Sequence, residues 1–93
     1  MFKPSEELKK YLSRRDEATR GLTKCEVYLS PSELEESGFK SLLSEYYEEE
    51  GDEYEYHLYE KNGQKVVCIQ VYEDREGGMY HQVMYTHDGK LPE

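Results

Sequence analysis

His57 and Cys68 have the types and spacing that could support nucleophilic chemistry. The predicted strand register places them side by side on neighbouring strands, where a histidine could deprotonate a thiol. The sheet face around them is predicted to be flat, and the sequence offers neither a third orienting group nor evident oxyanion donors. A half-exposed cysteine that packs as a small apolar side chain explains Cys68 better. We therefore assign no catalytic residues and expect a protein that is not an enzyme.

Metal binding is the second chemistry to test against the residues. The three histidines and two cysteines do not follow a zinc-site spacing, and the register puts His57 and His81 on opposite faces. The acidic segment 48–53 lacks the alternating oxygen ligands of a calcium-binding EF-hand loop. We expect no metal site and no cofactor.

Acidic residues dominate the chain. The 93 residues include 21 Asp and Glu against 12 Lys and Arg, a formal net charge of −9, and residues 45–60 hold eight acids without a Lys or Arg. A field of this sign repels phosphate, so we expect no direct binding to nucleic acid or to a membrane. It attracts a basic groove on a protein, although an acidic face kept for solubility is the alternative. The expected partner-binding carboxylates are Glu45, Glu48, Glu49, Glu50, Asp52, Glu53 and Glu55.

Helical spacing of apolar residues predicts the elements that position these acids. Residues 5–20 carry one apolar face and predict a first helix. Ser30 as N-cap and Pro31 at the first helical position begin a second, short helix. Residues 39–49 have apolar side chains at helical spacing and predict a further helical stretch that stops at Gly51.

Alternating residues predict the strands. Residues 24–29 form the first, and the last forty residues form a three-stranded antiparallel meander with a tight turn at Asn62-Gly63. The second connection is expected to be a five-residue loop at 74–78. The resulting cross-strand pairs are Leu58 with Val67, Tyr56 with Ile69, Tyr54 with Val71, Val71 with His81, Ile69 with Val83 and Val67 with Tyr85.

The predicted fold is a single α+β domain over residues 1–93. Its element order is α-β-α-β-β-β, with a four-stranded, mostly antiparallel sheet and helices packed on one face. The register points Cys25 and Cys68 to opposite faces, so both are expected to be free thiols, as in a reducing cytoplasm. The expected core is Leu8, Leu12, Val27, Leu29, Phe39, Leu42, Leu43, Leu58, Val67, Ile69 and Val83.

The sheet face away from this core is a second candidate surface. It has few charges and is rich in aromatic and other apolar side chains, which is typical of the centre of a protein interface. Cross-strand pairs that stabilise the sheet without a partner are the alternative. The face could join a different protein or a second copy in a homodimer. Its expected contact residues are Tyr59, Val66, Cys68, Tyr72, Tyr80 and Met84.

The order of helices and meander, with a terminal strand that ends in Tyr85-Thr86-His87-Asp88-Gly89-Lys90-Leu91, resembles a shortened cystatin-like or NTF2-like layout. In size and charge the chain is similar to small phage-encoded inhibitors, such as uracil-DNA glycosylase inhibitor and some anti-CRISPR proteins, which present carboxylates in place of phosphates. The base-free acidic segment is interleaved with tyrosines, and it predicts a non-enzymatic inhibitor that blocks the nucleic-acid-binding groove of a partner enzyme; these tyrosines are Tyr46, Tyr47, Tyr54, Tyr56 and Tyr59. The alternative is a small interaction module or homodimeric regulator that uses the sheet face.

Overall fold

The described part of the chain forms an α+β structure with two helices and five strands. The computed structural model describes residues 5–74 and 78–91. In chain order the elements are α1 (Glu6–Thr19), β1 (Thr23–Lys24), α2 (Pro31–Glu36), β2 (Lys40–Glu49), β3 (Asp52–Lys61), β4 (Gln64–Glu73) and β5 (Met79–Thr86). The strands make one sheet in the order β1-β5-β4-β3-β2, with every neighbouring pair antiparallel. The predicted class is confirmed, and the predicted number of four strands is wrong.

Local capping signals set where both helices begin. The Ser5 hydroxyl oxygen accepts a hydrogen bond of 3.1 Å from the backbone N–H of Leu8. Helix α1 starts at Glu6, directly after Ser5. Ser30 accepts a bond of 3.3 Å from the backbone N–H of Glu33, with Pro31 at the first position of α2. Both helices therefore lie where the sequence predicts them.

Strand β2 stands where the sequence predicted a helical stretch at 39–49. Glu50 and Gly51 both have positive φ angles, 52° and 87°, as in a two-residue type I′ hairpin turn. The turn reverses the chain, and β2 pairs with β3 along its length. The hydrogen bonds and side-chain pairs of this hairpin stabilise a strand more than a few apolar residues at helical spacing would stabilise a helix. A helix would also have placed the acids at 48–50 against the negative end of its dipole.

The register of the last three strands is confirmed. Tyr56 pairs with Ile69, Ile69 with Val83, and the other four predicted pairs hold as well. Asn62 and Gly63 form the predicted turn with φ angles of 51° and 81°. Residues 75–77 of the predicted five-residue loop lie outside the described residues.

The two helices pack on opposite faces of the sheet, so the expectation that they share one face is wrong. On the face that we call the α1 face, Leu8 and Tyr11 of α1 pack in one cluster with Tyr54, Tyr56, Val67 and Ile69. On the α2 face, Leu34 and Phe39 pack in a second cluster with Tyr59, Val66, Cys68 and Met84. Residues 66–69 of β4 are all buried because both of their faces are covered.

This arrangement corrects part of the predicted core. Val27, Leu42 and Leu43 are exposed, because β1 ends at Lys24 and β2 is an edge strand. Phe39 is buried as expected, but on the α2 face.

The two cysteines are free, as predicted, but they do not point to opposite faces. Cys25 and Cys68 belong to the same cluster on the α2 face. The strand expected to run through Cys25 ends one residue earlier, so strand alternation no longer fixes its direction. Burial raises the pKa of the Cys68 thiol to about 12.

Candidate functional site

The described residues cover only part of the α2 face. The short helix α2 covers the end of the sheet that carries Tyr59 and Val66. Its buried cluster does not extend to the end near the β2–β3 turn. Two cross-strand rows lie at that open end. We call these eight residues the acidic tyrosine face: Tyr80, Tyr72, Glu53 and Glu48 in one row, and Gln82, Gln70, Glu55 and Tyr46 in the next.

Tyr46 joins the carboxylates of the face. Its hydroxyl lies 2.7 Å from a Glu53 carboxylate oxygen and 2.8 Å from one of Glu48. Hydrogen bonds to Glu53 and then Glu48 raise the pKa of Tyr46 above its ordinary value, because the carboxylates favour the protonated phenol. Tyr46 therefore stays protonated, and its single hydroxyl hydrogen is shared between two acidic side chains.

The other side of the face is a chain of neutral polar groups. The Gln82 amide donates to the Tyr80 hydroxyl at 3.1 Å, and that hydroxyl donates to the Gln70 carbonyl oxygen at 2.9 Å. The Gln70 amide then donates to Tyr28 at 2.8 Å, which ties the face to the loop before α2. Burial raises the pKa of Tyr28 to about 12. These bonds hold the hydroxyl ends of the Tyr28 and Tyr80 rings in fixed positions.

A shallow cleft of about 230 Å³ lies within the face. Its lining residues are Glu53, Glu55, Gln70, Tyr72 and Tyr80. The Tyr80 hydroxyl donates to Gln70, whereas the Tyr72 hydroxyl lies 3.5 Å from a carboxylate oxygen of Asp74. The cleft thus combines carboxylates with aromatic rings, a composition suited to a cationic side chain.

Ser44, His57 and Glu55 form a hydrogen-bonded chain at the border of the face. The Ser44 hydroxyl lies 2.8 Å from His57 Nδ1, and His57 Nε2 lies 2.5 Å from a Glu55 oxygen. The order of groups is that of a serine nucleophile with its base, on an open strand rather than in a cavity. The chain fixes the position of the Glu55 carboxylate on the face.

The predicted His57–Cys68 neighbourhood is confirmed as a strand pair. Cys68 is not placed to act as a nucleophile. Its thiol is fully buried and lies 3.6 Å from the carbonyl oxygen of Leu29, and burial raises its pKa. The described residues contain no group of three or more His, Cys, Asp or Glu side chains placed to hold a metal ion.

The predicted acidic surface divides between the two sheet faces, because successive strand residues point in opposite directions. Only Glu48, Glu53 and Glu55 lie on the acidic tyrosine face. On the α1 face, Glu45 pairs with Arg14 at 3.2 Å and Glu49 accepts a bond of 3.1 Å from Tyr47. The seven predicted carboxylates therefore do not share one surface.

The two remaining acids take part in the hairpin. Asp52 is buried, and one of its oxygens accepts a hydrogen bond of 2.8 Å from the backbone N–H of Asp74. Glu50 occupies the β2–β3 turn with its side chain exposed. Asp52 thus links the start of β3 to the end of β4, whereas Glu50 is exposed to solvent.

The predicted open sheet face is also corrected. Tyr59, Val66, Cys68 and Met84 are buried beneath α2 and its flanking loops, so they are not exposed to a partner. Of the six predicted residues, only Tyr72 and Tyr80 belong to the open end of the face. Tyr80 is 56% exposed. Four of the six residues expected at a homodimer interface are therefore covered by this chain itself.

Sequence reasoning missed the contributions of Ser44 and Tyr28. The spacing of apolar residues places Ser44 in a helix and so does not predict its pairing with His57, and the alternating pattern places Tyr28 in a strand. The sequence contains one signal for a strand at Ser44. Residues 44, 46 and 48 are two apart and all polar or aromatic, as on one side of a strand.

No family model, curated protein or solved structure matches the chain. Within the described residues, neither helix combines the length and the apolar character needed to cross a bilayer. The fold and the site define a small α+β protein with an open, aromatic and acidic sheet face.

Proposed function

We propose that this protein is a non-enzymatic inhibitor that occupies the nucleic-acid-binding groove of a partner enzyme with its acidic tyrosine face. One observation carries the proposal. Glu48, Glu53 and Glu55 share one open sheet face with three tyrosines, and the two rows that form it include no Lys or Arg. Such a surface complements a row of basic side chains.

The strands give these carboxylates a fixed spacing. Residues two apart on one strand, such as Glu53 and Glu55, are separated by roughly 7 Å. Glu48 lies directly opposite Glu53 on β2, at a Cβ separation of about 5 Å. The three charges therefore form a compact array on a rigid support. Arg or Lys side chains that normally contact phosphates could pair with several of them at once.

The tyrosines add contact area to the charges. Tyr46 and Tyr80 are each 56% exposed, and hydrogen bonds already orient both rings. An ordered tyrosine loses little conformational freedom when it binds, and tyrosines are enriched among the residues that dominate binding energies. The net charge of −9 would also speed the approach to a positively charged groove.

A reducing cytoplasm is the proposed site of action. Both cysteines are buried as free thiols, and such thiols persist in compartments that keep cysteines reduced.

Capture experiments with charge-neutral variants test the proposal. The test variant carries E48Q, E53Q and E55Q, and a matched control carries E7Q, E17Q and E36Q at exposed positions on the two helices. Both lose three charges. We expect the wild type and the control to capture a nucleic-acid-binding enzyme from the source cells and to displace nucleic acid from it. The test variant should fail to do so, and raising salt should release the wild-type complex.

A captured enzyme that binds the test variant and the control equally well would contradict the proposal. So would a captured protein that keeps its full affinity for nucleic acid in the complex.

A further inference from the structure

The sheet has two very different edges. At one edge β1 has only two residues, Thr23–Lys24, whereas β2 at the other edge has ten, Lys40–Glu49. An edge strand presents backbone N–H and C=O groups that lack a partner strand. The β2 edge is thus the long hydrogen-bonding edge of the described sheet.

The hairpin geometry identifies which residues face outward. In a two-residue turn the flanking pair, here Glu49 and Asp52, is hydrogen-bonded, and bonded and non-bonded pairs then alternate along the strands. Ser44, Tyr46 and Glu48 consequently belong to non-bonded pairs. Their N–H and C=O groups point away from β3, into the space beside the sheet.

The same three residues connect this edge to the acidic tyrosine face. Tyr46 and Glu48 belong to the face, and Ser44 borders it through His57. Helix α1 leaves the edge accessible because its contacts with β2 lie on the other face, where Tyr11 stacks on Tyr47 at 5.6 Å and Arg14 pairs with Glu45. All three outward residues are exposed.

We propose that the β2 edge binds an extended, lysine- or arginine-bearing segment of the partner as a sixth strand of the sheet. This inference rests on the proposed function and specifies how the partner is held. Backbone hydrogen bonds to Ser44, Tyr46 and Glu48 supply affinity, and charge supplies selectivity. A second copy of this chain would bring three further acids from its own β2 to this edge, so like charges favour a basic strand over self-pairing.

The side-chain pattern of the segment follows from the two faces. Residues of the added strand that point to the α2 side would lie beside Tyr46 and Glu48, where a cation is favoured. Those that point to the α1 side would lie beside Leu43 and Tyr47, where Arg14 already neutralises Glu45. The segment should therefore alternate basic residues with β-branched or apolar ones. A register shift between Ser41 and Leu43 interrupts the edge and limits the docking length to 43–49.

A defined peptide tests the edge directly. The probe is an eight-residue peptide of alternating Lys and Thr, and its control is the same peptide with a methyl group on every peptide nitrogen, which keeps the charge but removes each N–H that could donate along a strand. We expect the Lys-Thr peptide to bind about tenfold more tightly and to slow amide hydrogen exchange at Ser44, Tyr46 and Glu48. Equal affinities for the two peptides, or unchanged exchange at these amides, would overturn the proposal.

A pair of variants isolates the backbone group. Ser44→Pro removes the outward N–H and the hydroxyl, whereas Ser44→Ala removes only the hydroxyl, and proline is tolerated at an edge position whose N–H faces solvent. We expect Ser44→Pro to bind the Lys-Thr peptide about tenfold more weakly than Ser44→Ala. Equal binding would overturn the proposal. If Ser44→Pro does not fold, the exchange measurement on the wild type decides.

The face and the edge can fail separately. Loss of peptide binding in the E48Q, E53Q and E55Q variant with full binding in Ser44→Pro would leave the proposed function standing and remove the strand addition. A wild-type dimer in sedimentation that Ser44→Pro dissociates would assign the edge to a second copy and overturn the proposal.

Discussion

Tyr46 on β2 donates its hydroxyl hydrogen bond across the hairpin to Glu53 on β3, with 2.7 Å between the oxygens. The two residues are diagonal neighbours on the acidic tyrosine face, since Tyr46 pairs with Glu55 and Glu53 with Glu48. The bond joins an aromatic ring to a carboxylate on an exposed surface. It thereby fixes both groups in the arrangement that a partner would meet.

We expect Tyr46→Phe to weaken binding of the captured partner by about fivefold, because the carboxylates of Glu48 and Glu53 lose their common donor. Tyr47→Phe is the matched control. It removes a similar bond, from Tyr47 to Glu49, on the opposite face. Calorimetric titration of both variants makes the comparison, and equal losses of affinity would show that the face is not the contact surface.

The neighbouring acids Asp52 and Glu53 should affect stability differently. Asp52→Ala removes a buried side chain and leaves the backbone N–H of Asp74 without its acceptor, so it should lower the free energy of unfolding by about 1–3 kcal/mol. Glu53→Ala changes an exposed side chain and should lower it by less than about 0.5 kcal/mol. Urea unfolding measures both. The reverse order would place Asp52, not Glu53, on the surface available to a partner.

Ile69 tests the centre of the sheet. It is 5% exposed on β4, between β3 and β5, so Ile69→Ala should leave a cavity and cost about 2–5 kcal/mol. Val27→Ala, at a side chain that is 52% exposed, should cost less than about 0.5 kcal/mol. Chemical denaturation of the two variants distinguishes the packed sheet from the exposed loop, and similar costs would contradict the register.

Cys68 reports whether α2 covers its half of the sheet. The thiol is fully buried and its pKa is raised to about 12, so the native protein should react very slowly with a thiol reagent at pH 8. Leu34→Ala removes a fully buried side chain of α2 and should speed the reaction by about tenfold or more, whereas Glu35→Ala should not. Immediate labelling of native wild-type protein would show that α2 does not protect this face.

Alkaline pH should destabilise the fold through its buried tyrosines. Burial raises the pKa of Tyr28 and of Tyr56 to about 12, above the value near 10 expected in the unfolded chain. The unfolded state therefore loses protons first, and stability is full below about pH 10 and falls as pH rises towards 12. Urea midpoints at pH 8 and pH 11 measure the fall. Tyr56→Phe should reduce it, and a midpoint independent of pH over this range would contradict the burial of these phenols.

Strand pairing in the C-terminal half could be predicted because its signals are local and agree with one another. The Asn62-Gly63 turn fixes one register, and that register places apolar residues such as Tyr56 and Ile69 opposite each other. The capping residues Ser5 and Ser30 similarly fix both helix starts, because a cap acts on a backbone N–H three residues away.

The candidate site could be predicted only in part. The sequence located the acids in one segment and excluded metal-site spacings, but it could not sort Glu45 from Glu48 without knowing that 40–49 is a strand. Helical and strand spacings were both compatible with the few apolar residues there. Residues 40–49 form a strand because they pair with β3, and a local sequence pattern does not contain these contacts.

By itself, the sequence determined the acidic and tyrosine-rich chemistry, the helix starts and the meander register, because these depend on residues close together in the chain. Tertiary structure alone decided which side of the sheet each helix covers. Both faces of β4 are apolar at Val66 and Val67, so either could receive a helix, and long-range packing assigns α1 to one and α2 to the other. Because α2 is short, its face stays open beyond Tyr59, and that opening is what brings Tyr46, Glu53 and Tyr80 to the surface.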